Sequence, residues 1–316
     1  MTTFPGYLRP DGRYGIRNTV VLLSAMDNTN PSAQRIGEMV QGTTVLATPF
    51  GRGQIGADME VTRQTLANLA LHPNVAAALV LSLSEETAEA IAARIRPSGK
   101  PVAVLGLQET GSALDLTLKG AQAAAGMVIE ASAHRRVDAP VSALTVGVEC
   151  GGSDATSGLA SNPATGRFAD RLVDAGGSIV LSEPAEFMGA EHLLAARAER
   201  PEDAARIIDM VKWFEDEALR NGVDMRGTNP TPDNIAGGLT TLEEKSLGAI
   251  AKGGTRPVVE VTDYAEKAQR AGLVVMDTPS AACESMTGLA AGGCQIILFS
   301  TGRGNAIGAP VAPTIK

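Results

Sequence analysis

The sequence predicts an α/β protein of two Rossmann-like lobes with mainly parallel sheets, and three observations predict it. Short runs rich in Val, Ile and Leu alternate with Ala-rich amphipathic stretches along most of the 316 residues, which is typical of parallel βαβ units. Aromatic residues make up only 3% of the chain while glycine occurs 35 times, as expected for closely packed βα units with tight turns. A polar, basic segment, ASAHRRVDAP, separates the alternation into two series.

The first series predicts an N-terminal lobe over residues 1–135. Each of its short apolar runs is followed by an amphipathic stretch, the arrangement that makes neighbouring strands parallel. Strands are predicted at 19–25, 43–47, 76–83 and 101–107. Helices are predicted to begin where a capping side chain or a first-turn proline is available, near Pro31, Asp58, Glu85 and Ser112.

The second series predicts a C-terminal catalytic α/β lobe over residues 140–316. Ligands of open parallel sheets bind beyond the carboxyl ends of the strands, so the residues that follow each strand are candidates for a site. A long amphipathic helix is predicted at 201–221. Strands are predicted at 144–148, 178–181, 258–261, 273–276 and 295–299.

Net charge and cysteine content restrict the partners and the compartment. The formal net charge of -8 argues against nucleic acid, whose phosphates require a basic surface. No apolar run approaches the length of a membrane span, and the N-terminus lacks the apolar core of a signal peptide. The three cysteines are too few for a disulfide framework and fit a reducing cytoplasm. The sequence therefore predicts a cytoplasmic enzyme with neither a nucleic-acid nor a membrane partner.

Candidate metal ligands follow the first two strands of the second lobe. The glycine-containing loop ECGGSD carries Cys150, Ser153 and Asp154, and the segment SEPAEFMGAEHLL carries Glu186 and His192. Carboxylates with one imidazole and one thiolate suit divalent iron, manganese or zinc. Two plainer interpretations stay open: the loop is a tight strand-to-helix turn, and His192 is a surface residue of a first helical turn.

Two further segments supply candidate cations and hydrogen-bonding groups. Lys245 lies in the first turn of a helix that opens at TTLEEK, where its charge opposes the helix dipole. We therefore predict that Lys245 meets an anionic ligand or a carboxylate. The segment STGRGN places Thr301, Gly302 and Arg303 after a strand, and the Arg303 fork suits a carboxylate. Asn234 lies in the loop that precedes the TTLEEK helix.

In combination, several segments resemble the large catalytic region of altronate and galactarate dehydratases, a family that includes the large subunit of sulfolactate sulfo-lyase. The resemblance runs from Gly6 to Lys316. It implies a metal-assisted lyase that acts on a hydroxy-carboxylate, generally with Fe²⁺ or Mn²⁺. The segments are GYLRPDGRYGIRN, HPNV, ECGGSDATSGLASNPATG, EFMGAEHLL, GGLTTLEEKSLGAIAKGGT and LFSTGRGNAIG.

The chain departs from this family in three respects. Many members have cysteines in the strand-end loops of the first lobe, where this chain has Asp27, Arg52 and Glu85, which puts the identity of the metal in doubt. Many also begin with a small extra domain, which is a separate chain in two-subunit members. Relatives usually continue well past the position of Lys316, so we expect a truncated or shortened homologue. The resemblance thus implies a separate small subunit as partner and self-association into a homo-oligomer.

The resemblance implies a hydro-lyase that dehydrates a sugar acid, or a related small hydroxy-carboxylate, to a 2-keto acid. Two alternatives stay open: the leaving group is sulfite, as in the sulfo-lyase, or the chain is a non-catalytic binding homologue. In the elimination, a metal would stabilise charge on the substrate carboxylate, and Lys245 would take the proton. The predicted site comprises catalytic Lys245, Arg303, Glu186 and Thr301, substrate-binding Arg52, Ser153, Asn234 and Gly302, and the metal ligands Cys150, Asp154, Glu186 and His192.

Overall fold

The computed structural model describes residues 2–316 and divides into two compact units, one ending at Pro140 and the other spanning Val141–Lys316. Each unit contains a parallel sheet with helices in the connections between its strands. The predicted fold class, α/β with mainly parallel sheets, is confirmed. No helix within residues 2–316 is both long enough and apolar enough to cross a membrane.

The first unit is built around a four-stranded parallel sheet of order β4-β3-β5-β6, beside a small antiparallel sheet of order β2-β1-β7. Its strands are β1 Thr3–Leu8, β2 Tyr14–Gly15, β3 Thr19–Ser24, β4 Thr43–Ala47, β5 Val75–Ser82, β6 Val102–Gly106 and β7 Val137–Pro140. Its helices are α1 Asn30–Met39, α2 Gly56–Leu71, α3 Glu85–Ile95, α4 Leu107–Thr110 and α5 Ala113–Ser132.

The GYLRPDGRYGIRN segment has a structural role in this first unit. Arg9 is only 3% exposed, and its guanidinium donates hydrogen bonds to the carbonyl oxygens of Pro73 and Arg17, both at 2.6 Å, and to Asn18 Oδ1 at 2.8 Å. A buried guanidinium must have its donors satisfied. These contacts join the β1–β2 turn to the loop that precedes β5. The GYLRPDGRYGIRN segment therefore stabilises the fold of the first unit.

The second unit is a six-stranded sheet of order β10-β11-β9-β8-β12-β13, with all of its strand pairs parallel. Its strands are β8 Thr145–Cys150, β9 Ser178–Leu181, β10 Val258–Thr262, β11 Leu273–Met276, β12 Ile296–Ser300 and β13 Thr314–Ile315. Its helices are α6 Asn162–Asp174, α7 Glu191–Ala195, α8 Pro201–Arg220, α9 Met225–Thr228, α10 Pro232–Ala236, α11 Leu242–Ala251 and α12 Ala282–Ala291.

Three strands of this sheet, β9, β8 and β12, are neighbours and deliver their carboxyl ends to one edge. The loops SEPAEF, ECGGSD and STGRGN therefore emerge side by side. A π-helical turn, Ser157–Ser161, leads from the ECGGSD loop into α6. This edge of the sheet is where a parallel fold offers a ligand site.

All nine strands that the sequence predicts are present, each within two residues of its expected ends. The sequence did not predict the short strands β1, β2, β7 and β13. They lie outside the alternation of strands and helices, and β7 falls in the segment that was expected to be a polar linker.

Close backbone contact between α6 and the end of α11 predicts that Gly166→Ala lowers the free energy of unfolding by about 1–3 kcal/mol. A Cβ at Gly166 would lie 2.0 Å from the Ala251 carbonyl oxygen, which belongs to the backbone and cannot turn aside. Urea unfolding of the second unit measures the change. Gly227→Ala is the control, because a Cβ there meets nothing within 4 Å. Equal stability of the two variants would contradict the predicted clash.

Candidate functional site

A cleft of about 260 Å³, including the part that is open to solvent, lies at the strand-end edge of the second sheet. Its walls come from the ECGGSD loop, the π-helical turn, the segment after β9 and the first turns of α11. All of its lining residues belong to the second unit. They are Cys150, Ser153, Asp154, Ser157, Gly158, Asn162, Glu186, Leu239, Glu244, Lys245, Gly248 and Ala249.

An ion pair between Lys245 and Glu186 forms one wall of the cleft. The Lys245 ammonium lies 3.0 Å from Glu186 Oε2, donates to Glu186 Oε1 at 3.2 Å and donates to Asn229 Oδ1 at 2.6 Å. The side chains are only 10% and 18% exposed. The carboxylate compensates for the unfavourable position of a cation at a helix N-terminus. Glu186 Oε2 is buried and, apart from the Lys245 ammonium at 3.0 Å, has no hydrogen-bond partner among residues 2–316.

The opposite wall is held by contacts between the ECGGSD and STGRGN loops. The backbone N–H groups of Gly302 and Arg303 both donate to the Gly152 carbonyl, at 3.3 and 3.0 Å. A Cβ at Gly302 would lie 2.2 Å from Asp154 Cγ, so the close approach of the loops requires glycine. Asp154 Oδ1 accepts bonds from the hydroxyl and N–H of Thr156, at 2.6 and 2.9 Å, and these bonds lower the pKa of Asp154.

Behind the cleft, a buried cluster surrounds the Lys252 ammonium. Lys252 is 0% exposed and donates to Glu183 Oε2 at 2.9 Å and to Cys150 Sγ at 3.1 Å. Burial disfavours the ammonium, but the groups that face it, Cys150, Glu183 and Glu149, outweigh this effect and raise the pKa of Lys252. Burial raises the pKa of the Cys150 thiol to about 12 despite the nearby cation. Cys150 therefore lines the cleft with its thiol form favoured over the thiolate.

The cluster continues to a second buried carboxyl group, that of Glu149. Glu149 Oε2 accepts hydrogen bonds from Ser285 at 2.7 Å and from Ser182 at 3.0 Å. Burial, the Glu183 charge and a hydrogen bond with Glu183 hold the pKa of Glu149 well above its usual range. These surroundings therefore favour the protonated form of Glu149, while the Lys252 ammonium balances the charge of the Glu183 carboxylate.

The structure brings five of the predicted site residues into one cleft: Cys150, Ser153, Asp154, Glu186 and Lys245. Arg303 is not among them, because its guanidinium donates to the Asp233 carbonyl at 2.9 Å. Thr301 accepts a bond from the Gly304 N–H at 3.0 Å and so shapes the turn.

The Asn234 side chain also forms its hydrogen bonds within the protein. Its Oδ1 accepts bonds from the N–H and hydroxyl of Thr231, at 3.0 and 2.9 Å, and its Nδ2 donates to the Ser153 carbonyl at 2.9 Å. Its role is therefore to cap α10 and to hold the ECGGSD loop. Arg52 lies in the first unit, where it pairs with Asp27 at 3.2 Å, and it does not line this cleft.

The four predicted metal ligands do not form a binding group. His192 is exposed on α7 and does not line the cleft, while the Cys150 thiol is engaged by Lys252. No three His, Cys, Asp or Glu side chains within residues 2–316 gather as a metal site would require. These residues therefore do not fit a preformed metal centre, and dependence on Fe²⁺ or Mn²⁺ stays a prediction.

Sequence reasoning missed the buried groups Glu149, Glu183 and Lys252 as a cluster, and it missed Asn162 in the cleft. One signal was available, because Glu149 interrupts the apolar run TVGVEC, and a carboxylate inside a buried strand is costly without a partner. Lys252 gave no such signal, since a lysine at a helix C-terminus is favourable at the surface.

Comparison with known proteins gives consistent matches over both units. Residues 141–316 match the family D-galactarate/Altronate dehydratase, C-terminal, and residues 6–132 match D-galactarate dehydratase/Altronate hydrolase, second domain. The chain is 39% identical over 316 residues to (2R)-sulfolactate sulfo-lyase subunit beta of Chromohalobacter salexigens, a match that covers 99% of this chain and 81% of that subunit.

Two altronate dehydratases are also similar. The identity is 36% for the protein of Bacillus subtilis, over 99% of this chain and 65% of the relative. It is 33% for the protein of Escherichia coli, over 98% of this chain and 64% of the relative. The chain thus spans just under two thirds of the length of these two enzymes.

The buried ion pair predicts that Lys252→Met lowers the free energy of unfolding by about 3–5 kcal/mol, because the Glu183 carboxylate is left buried without its cation. Urea unfolding measures the loss. Removing both charges in Lys252→Met/Glu183→Gln is expected to recover part of it. Lys212→Met, at an exposed position of α8, is the control and should change stability by no more than about 0.5 kcal/mol. An unchanged free energy of unfolding in Lys252→Met would rule out a structural role for the pair.

Proposed function

Because the chain belongs to the galactarate and altronate dehydratase family, whose named members are lyases, we propose that it is a hydro-lyase. In this proposal it removes water from a sugar acid or a related small hydroxy-carboxylate and yields a 2-keto acid. The observation that carries the proposal is the Lys245–Glu186 pair in the cleft, in which the buried Glu186 Oε2 lies 3.0 Å from the Lys245 ammonium and has no other hydrogen-bond partner among residues 2–316.

The pair supplies both an acid and a base for the elimination. Glu186 Oε2 takes the proton from the carbon next to the substrate carboxylate, because it is an acceptor with unused capacity. Lys245 gives a proton to the hydroxyl on the following carbon, which departs as water. The resulting enol tautomerises to the 2-keto acid, and a proton then passes from Glu186 to Lys245 over the short distance between them. Sequence analysis gave the role of base to Lys245, whereas the ion pair favours Glu186.

The ammonium of Lys245 has a second effect on the reaction. Charge builds on the substrate carboxylate as the proton leaves, and a cation in a partly buried cleft stabilises that charge more than water does. No step of this proposal requires the metal, which stays a separate prediction tested by the assay below.

A second candidate keeps the same site and changes the leaving group to sulfite. It is favoured by the match to the sulfo-lyase subunit, which covers a larger share of the relative than the matches to the altronate dehydratases do. The name of that relative, a subunit beta, also supports a separate small subunit as the partner of this chain. A non-catalytic binding homologue is the third candidate, and it need not turn over any acid.

The substrate prediction is that purified chain releases a 2-keto acid from at least one member of a panel of aldonates, aldarates and sulfolactate. The assay is run anaerobically with Fe²⁺, with Mn²⁺ and with chelator, with and without a small partner subunit. Measuring 2-keto acid and sulfite separately distinguishes the dehydratase from the sulfo-lyase. Absence of turnover under all of these conditions would leave only the binding homologue.

The acid–base prediction is that Glu186→Gln and Lys245→Met each lower kcat by about 10²–10⁴-fold, the usual contribution of general acid–base catalysis. Because the two groups act as one unit, the double variant should be little worse than either single variant. Glu243→Gln is the control, since Glu243 is exposed on α11, the helix that carries Lys245, and does not line the cleft. Full additivity of the two losses would show that the residues act independently.

A further inference from the structure

Asn162 is a buried polar residue of the cleft whose capacity for hydrogen bonding is not used by the protein. It is the first residue of α6 and lines the cleft beside the π-helical turn. The residue is only 2% exposed, and its Oδ1 has no hydrogen-bond partner among residues 2–316. A buried amide without a partner is costly, so a ligand that completes its hydrogen bonds gains binding energy.

The other buried asparagines show that this fold normally satisfies such groups. In each of them Oδ1 accepts a hydrogen bond from within the same unit. Asn74 accepts from the Ile16 N–H at 2.8 Å, Asn229 accepts from the Lys245 ammonium at 2.6 Å, and Asn234 accepts from the Thr231 N–H at 3.0 Å. Asn162 departs from this pattern at the cleft; in the first unit, the partly buried Asn28 and Asn30 also have an Oδ1 without a partner among residues 2–316.

The chemistry of the missing partner follows from the groups around it. An amide oxygen requires a donor, but the ionised carboxylates of Asp154 and Glu186 can only accept. The Lys245 ammonium bonds to Glu186 and Asn229, and no group among residues 2–316 donates to Asn162 Oδ1. A substrate carboxylate or sulfonate would also only accept, so neither pairs with Oδ1. A hydroxyl group both donates and accepts, and it can therefore pair with either end of the amide.

We propose that the Asn162 amide binds a hydroxyl group of the substrate, and that this contact selects a hydroxylated acid over the analogue that lacks that hydroxyl. The inference rests on the proposed function, because it takes the substrate to be a hydroxy-carboxylate. It adds a specificity-determining residue to a site in which Glu186 and Lys245 carry out the proton transfers.

The stability of two matched variants tests whether the amide serves the fold. Asn162→Ala removes a group that bonds nothing in the free protein, so its melting temperature should equal or exceed that of the parent. Asn234→Ala removes a satisfied cap and should lower the melting temperature by about 2 °C or more. A clear fall for Asn162→Ala would assign the residue a structural role and overturn the proposal.

Substrate selectivity tests whether the amide serves the ligand. The acid turned over by the parent protein is compared with analogues that each lack one hydroxyl other than the leaving group. The parent should prefer the full acid over one of these analogues, and in Asn162→Ala that preference should shrink by roughly 10-fold in kcat/KM. Turnover of that analogue itself should be nearly the same in the parent and in the variant.

Calorimetric binding of the same acids separates this inference from the proposed function. If the parent binds but does not turn over a hydroxy-acid, and Asn162→Ala loses the preference in binding, the proposed function fails while the assignment of Asn162 stands. If the parent turns over the acid and Asn162→Ala keeps the full preference, the assignment fails alone. If the parent binds none of the acids, both fail.

Discussion

The arrangement of the cleft depends on one buried ion pair, between Lys252 and Glu183. Glu183 follows β9 and Lys252 follows the end of α11, and Glu183 Oε2 also accepts the backbone N–H of Cys150 at the end of β8. The pair therefore fixes one end of α11 against two strand ends, which sets the position of Lys245 in the first turn of the helix. Such a pair adds less stability than its charges suggest, but it restricts the positions of the side chains that line the cleft.

Carboxyl groups at this edge of the sheet differ in state because their surroundings differ. Glu149 is surrounded by apolar strands and by the Glu183 charge, which raise its pKa and favour its protonated form. Asp154 accepts bonds from Thr156 near the surface, which lowers its pKa and keeps it ionised. Glu183 also adopts a left-handed backbone conformation, with φ of 69°, and non-glycine residues adopt it where the surrounding contacts compensate for the strain.

Much of the fold, and part of the site, could be predicted from local patterns in the sequence. The central strands were predictable because each is a short apolar run between turns, and the strand-end rule then placed Cys150 and Asp154 at one edge of the sheet. Contacts between distant residues could not be predicted in this way. Lys252 is buried only because Glu183, which precedes it by 69 residues, lies opposite it. Periodicity also could not show that His192 faces solvent, since α7 has only five residues.

Two facing glycines determine how the cleft could change during evolution or engineering. Gly158 lies in the π-helical turn and Gly248 in α11, and a Cβ at Gly248 would come within 3.1 Å of the Gly158 Cα. The main chains are thus in direct contact at this wall, with no side chain to shorten. A larger ligand can be admitted here only by a shift of the helix, whereas the wall formed by Leu239 can be widened by a smaller side chain. Adaptation to a bulkier ligand therefore has an accessible route at one side of the cleft and a closed one at the other.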